Sequence, residues 1–184
     1  MEATANIRPV ERLVPGIPVQ DGAGVKLLRI LGTPRLDHLD PFLMLDEFRT
    51  ESKDDYVAGF QPHPHRGFET VTYMKEGCFR HKDSKGNAGL WGYLLWITLP
   101  SRVKMTEPRY QDIPAEQIPV VEEDGRLVRI IAGSYAGQSG AARTFLPTDY
   151  LDVELQPGAV FEHTIPADRN SFAFIYEGEV ESGP

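Results

Sequence analysis

The sequence predicts an all-β protein, and three observations carry that expectation. Fifteen prolines and seventeen glycines punctuate its 184 residues, and the runs between them are rich in branched and aromatic side chains. None of these runs has the sustained 3.6-residue apolar period of a helix. The clearest ones are instead FETVTYM (68–74), which alternates, and WGYLLWITL (91–99), which is apolar throughout. Alternation marks a strand with one wet face, and an unbroken short apolar run marks a strand covered on both.

Taken in chain order, VKLLRIL (25–31) lies between Asp21-Gly22-Ala23-Gly24 and Gly32-Thr33-Pro34, and FLMLDEF (42–48) follows Asp40-Pro41. Glycine supplies the positive φ that tight turns need, and proline cannot donate to a ladder, so these clusters bound strands. FETVTYM stops at Glu76-Gly77, and Lys85-Gly86-Asn87 marks the turn before WGYLLWITL. From Lys104 to Pro119 the stretch KMTEPRYQDIPAEQIP is proline-rich and poor in apolar residues, so it reads as a linker with at most one helical turn around Ala115 to Gln117. RLVRIIA (126–132) is the next strand, followed by a small-residue loop, GSYAGQSGAA (133–142). Three further strands are expected at YLDVEL (150–155), AVFEHTI (159–165) and SFAFIY (171–176), separated by Pro157-Gly158 and Pro166. Such close spacing suits a sandwich or barrel sheet.

Composition excludes several functions. A net charge of −8 with 19 scattered Lys and Arg argues against a surface that tracks phosphates, so direct nucleic-acid binding is not expected. No run approaches the roughly 20 apolar residues of a membrane span. The N-terminus, MEATANIRPVERLVPG, lacks the basic-then-apolar layout of a secretory signal, and the single cysteine, Cys78, rules out an internal disulfide framework. A cytoplasmic protein is expected on both counts. There is no phosphate loop, no Gly-x-Ser-x-Gly elbow and no dinucleotide fingerprint.

The chemistry concentrates in QPHPHRGFETVTY (61–73). In an extended strand residues i and i+2 share a face, so His63 and His65 can point at one atom, and Glu69 has the same parity. Gly67 can bend the strand and break that parity. Two imidazoles and a carboxylate suit Fe(II), and equally Zn, Mn, Ni or Cu. His81 lies beyond a turn and is a weaker candidate ligand. His38 sits in a polar turn and is expected to be solvated, while His163 reads as a structural strand residue. Tyr73, Met74 and Trp96 read as core filler, one of which a cupped barrel could present to a ligand.

LDPFLMLDEF (39–48), HPHRGFETVTY (63–73), HKDSKGNAG (81–89), LWITLP (95–100), KMTEPRYQ (104–111) and YLDVELQPGA (150–159) together, and in this order, resemble the pirin family. The resemblance implies a bicupin, two antiparallel β-barrels in tandem, with one metal, usually iron, in the N-terminal barrel. It implies quercetin 2,3-dioxygenase activity, the O2-dependent opening of a flavonol ring, or a redox-sensitive regulator that binds a protein partner. His63 and His65 match the first two of four ligands. The other two, a histidine and a glutamate, belong to a motif that would follow Leu90 and is absent, so the join at Leu90-Trp91 reads as a deletion. The catalytic residue of the family is that missing glutamate, and no residue here is assigned in its place. The resemblance divides the chain into an N-terminal cupin (1–105), a linker (106–120) and a partial C-terminal cupin (121–184). Barrels incomplete in this way expose sheet edges, which favour association with another copy of the chain.

Overall fold

A computed structural model describes residues 7–52, 55, 60, 65–76 and 90–183. Its first sheet holds β1 (Ile17–Asp21), β2 (Val25–Leu31), β3 (Phe42–Thr50), β4 (Phe68–Glu76) and β5 (Leu90–Thr98), all antiparallel, in the order β1-β2-β3-β5-β4. The apolar strand β5 is central, between β3 and β4, as its composition requires. The short β1 carries Pro18 and takes an edge, where a missing N–H costs no ladder bond. The linker contains two 3-10 turns, Ser101–Val103 and Ala115–Gln117. A second sheet follows, with β6 (Val120–Glu123), β7 (Arg126–Ala132) and β10 (Tyr150–Leu155) in the order β10-β7-β6. The loop after β7 forms a small hairpin from β8 (Ser134–Tyr135) and β9 (Gln138–Ser139). Its tight turn places Ala136 and Gly137 at φ 48° and 77°, as a two-residue hairpin loop demands.

Parity sorts the first sheet into two faces. Leu45, Tyr73, Trp91, Tyr93, Leu95 and Ile97 line one of them and form the main core with Ile30, Leu31 and Ile131. The other face carries a smaller cluster of Val25, Leu27, Phe48 and Leu90. Gly92, in the middle of β5, allows Met74 and the Tyr73 carbonyl to approach, for a Cβ there would lie 2.6 and 2.7 Å from them.

AVFEHTI and SFAFIY, expected as strands, are irregular and belong to no sheet. Among the described residues, 171–176 make no backbone-to-backbone hydrogen bond. Their alternation is nevertheless used. Phe172 meets Phe42 edge-on at 5.1 Å, Phe174 meets Tyr93 at 6.1 Å and Tyr176 meets Trp91 at 5.6 Å. In SFAFIY the alternation therefore reports ring contacts with the first sheet's core face, and in AVFEHTI Phe161 packs instead on Tyr135 of the second sheet's cluster.

One buried carboxylate joins the two sheets. Asp152 of β10, 5% exposed, accepts hydrogen bonds from Tyr73 and Tyr176 hydroxyls, both at 2.7 Å, and from Lys75 Nζ at 3.1 Å. Arg129 reaches the same carboxylate at 3.3 Å and Glu154 at 2.6 Å. Burial alone would raise the Asp152 pKa, but the bonds from Tyr176 and Tyr73 and the Lys75 charge outweigh it, so its carboxyl ionises below the usual 3.8. The same burial, with Asp152 alongside, pushes both phenols well above their ordinary range.

A group whose pKa is lowered by folding stabilises the native state above its unfolded pKa, and that contribution disappears as pH falls through the folded value. Resistance of the wild type to urea should therefore fall as pH drops below about 4, and Asp152→Asn should flatten that dependence. At neutral pH Asp152→Ala should cost about 3–5 kcal/mol, because it removes the buried acceptor shared by Tyr73, Tyr176 and Arg129 and leaves Lys75 only the longer carboxylate contact to Glu154 at 3.6 Å.

Candidate metal and ligand site

The head of β4 is shaped by Gly67. Its φ of +79° is a left-handed conformation that favours glycine, and its carbonyl accepts a bond from the Leu99 amide at 2.9 Å. The turn separates His65 from the start of β4. Phe68, Thr70 and Thr72 pair in register with Thr98, Trp96 and Leu94, whereas Glu69, Val71 and Tyr73 pair with Ile97, Leu95 and Tyr93. Successive residues take opposite faces, so Glu69 shares its face with the main core.

His65 keeps company with the other face. Its ring lies 5.0 Å from Phe68 and 5.5 Å from Trp96, which stack on each other at 4.3 Å and 11°. The Trp96 Nε1 is buried without a hydrogen-bond partner. Thr70 and Thr72 are exposed on the same face. Further along, Arg29 grips Asp46 through two bonds of 2.8 Å and Asp21 through a third. The bond to Asp46 is the largest influence holding the guanidinium charged.

Glu69 has a different employment. Its carboxylate accepts the Phe145 amide at 2.9 Å, and Arg109 approaches at 3.5 Å. Arg109 in turn stacks on the Phe145 ring at 3.9 Å and donates to the Arg143 carbonyl at 2.6 Å. The Gln111 side chain completes the attachment, donating to that carbonyl at 2.8 Å and accepting the Arg143 amide at 3.0 Å. The PRYQ stretch of the linker thus ties β4 to the loop before β10. The parity that put Glu69 beside the histidines ends at Gly67.

The remaining candidates are quickly placed. His63 and His81 lie outside the described residues, as does Cys78. Among the described residues no three His, Cys, Asp or Glu side chains gather around one point, so these residues alone do not make a metal site. His38 bonds Asp37 at 3.0 Å on the surface. His163 Nε2 pairs with Asp149 at 3.0 Å and its ring packs near Tyr135 and Phe161. It borders a concavity of about 400 Å³ with Ser134, Tyr135 and Glu162, which neither His65 nor Glu69 lines. Trp96 was open to reading as core filler. Its alternation with Trp91, Tyr93 and Leu95 on β5 is the signal that it faces the histidine side.

Comparison with known proteins fits this geometry. The family model described as Pirin matches residues 24–98, which contain both the β3 motif and HPHRGFETVTY. The pirin-like protein of Caulobacter vibrioides is 42% identical, over 95% of this chain and 74% of its own length. The chain belongs to the pirin family. Human pirin is 38% identical over 89% of this chain and 65% of its own. Among solved structures, a protein of Geobacillus kaustophilus superposes with a TM-score of 0.62 at 26% identity, covering 82% of this chain and 70% of that one. A quercetin 2,3-dioxygenase from Acinetobacter baumannii gives 0.59 at 32% identity, covering 74% and 60%. The fold is that of the pirin cupins, and the chain spans between three fifths and three quarters of these relatives. The match to the Caulobacter pirin runs over 207 residues, more than the whole 184-residue chain, so the relative contains segments that have no counterpart here. Among the described residues no helix is long and apolar enough to cross a membrane.

Glu69→Gln should weaken the attachment of the 143–146 loop by about 1–3 kcal/mol, the scale of a hydrogen bond to a charged group, as read by chemical unfolding. It should leave the metal-to-protein ratio of the purified chain unchanged, because Glu69 and His65 sit on opposite faces of the sheet.

Proposed function

We propose that this pirin-family chain is a metal-binding cupin of the quercetin 2,3-dioxygenase class, with His63 and His65 as its imidazole ligands. Iron is the favoured metal, a flavonol the favoured substrate class, and the cytoplasm the place of action. The observation that carries this reading is the seat of His65, at the strand head against Phe68 and Trp96, on the face away from the main core. The 32% identity with a quercetin 2,3-dioxygenase supports it. A metal held there would supply Lewis acidity toward an enolic oxygen and, as iron, reactivity toward O2. The chain's own residues would orient the imidazole through ring contacts and offer a flat apolar wall beside it. The division into an N-terminal cupin (1–105), a linker (106–120) and a partial second cupin (121–184) belongs to the same proposal.

A second reading, a metal-sensitive regulator that binds a protein partner, is favoured by one observation. Glu69, the carboxylate nearest the histidines in sequence, is committed to Phe145 and Arg109, which leaves it unable to stand in as the base of a dioxygenase. Aerobic decay of quercetin separates the two. Decay at a rate comparable to that of a dioxygenase relative supports the first reading and refutes the regulator, whereas negligible turnover by a metal-loaded chain supports the second.

Metal analysis tests the ligands. The His63→Ala/His65→Ala double variant should lose metal affinity by more than about 100-fold, beyond the effect of altering an outer-shell partner, and an unchanged metal content would sink the assignment.

A further inference from the structure

The linker contributes more than a tether beside His65. Lys104 packs against Gly67, and its Nζ reaches the Thr98 hydroxyl at 3.3 Å. Met105 then places its Sδ 2.9 Å from Nη2 and 3.2 Å from Nε of Arg66. Met105 is 70% exposed. Met44 and Met74, by contrast, lie against the glycines Gly32 and Gly92 of the sheet. A guanidinium is a charged, two-pronged donor suited to an anionic or strongly polar oxygen, whereas a thioether sulfur is a weak acceptor. Arg66 therefore points its donors at an atom that satisfies them poorly, and that atom is open to oxidants in solvent.

We propose that Met105 is a reversible oxidation site whose sulfoxide is read by Arg66. A peroxide transfers one oxygen to the Sδ lone pair. The O–O bond breaks, the sulfur loses two electrons, and with hydrogen peroxide the other oxygen leaves as water. The new S–O group is a strong acceptor lying where the Arg66 donors already converge. Oxidation then fastens the linker to the residue that follows His65 and stiffens the turn at Gly67, and methionine sulfoxide reductases reverse it. This inference depends on the Arg66–Met105 geometry and not on the metal assignment.

The test uses the purified chain, treated with hydrogen peroxide and quenched with catalase, followed by peptide mass spectrometry and hydrogen exchange. Met105 should oxidise ahead of Met44 and Met74. The Leu99 amide, which donates to the Gly67 carbonyl, should then exchange about tenfold more slowly, as one gained bond to a charged group allows. In Met105→Leu peroxide should leave that exchange unchanged. In Arg66→Gln the sulfoxide should form without any slowing. Unchanged or faster exchange in the oxidised wild type, or equal slowing in either variant, would overturn the proposal.

Discussion

The molecule is organised around a carboxylate almost wholly withdrawn from water. Asp152 lies between the two sheets and receives Tyr73 and Lys75 from the first, Arg129 from the second, and Tyr176 from the terminal stretch. A lone charge in that position would be intolerable, since desolvation of an ion costs several kcal/mol even after relaxation. Four donors from three parts of the chain satisfy it only when all three parts are docked in one arrangement. Lys75 adds to this by lying 4.2 Å from the Tyr176 ring and 5.2 Å from the Trp91 ring, so the cation is partnered on its apolar side as well. Hydrophobic burial drives the sheets together without direction. The polar cluster adds directional bonds to their mutual placement.

The candidate site depends on that placement indirectly. β4 serves both faces at once, with Tyr73 and Lys75 fastened toward Asp152 and Phe68 stacked on Trp96 toward His65. Glu69, bound to the Phe145 amide, fixes the strand just after its turn. The histidine face is thus presented by a strand held from behind, which is the support a ligand-binding constellation requires.

Much of this was legible in the sequence. The β2, β3, β4, β5, β7 and β10 strands follow from alternation, apolar runs and the glycines and prolines that bound them, and the turn at Ala115–Gln117 lies where the linker has room for one. β1 and β6 were not evident. Val19 in IPVQD and Val121 in VVEE are the partly buried hydrophobics these short edge strands give to a core, too little to produce a pattern. The β8–β9 hairpin was hidden in a loop of small residues. AVFEHTI and SFAFIY show the reverse error, for a period of two records which side chains are covered and says nothing of whether a neighbouring strand exists. At the candidate site, spacing singled out His63 and His65 as candidates, and Gly67 marked where the parity of Glu69 would fail. The engagement of Glu69 by Phe145 and Arg109 joins residues 76 and 40 positions apart, a relation that no local pattern encodes.

The terminal run from Phe172 to Tyr176 has a consequence for how the protein is made. It covers aromatic residues of β3 and β5 that are synthesised some 80 to 130 positions earlier. During translation the first sheet can pair its strands, but the part of its core face around Phe42, Trp91 and Tyr93 lacks this cover until residues 172–176 have left the ribosome. Contacts of such long separation are slow to close, and exposed apolar surface in the interim invites chaperones or aggregation. The yield of folded protein should therefore be set less by the strength of the first sheet than by the time it must wait for its cover.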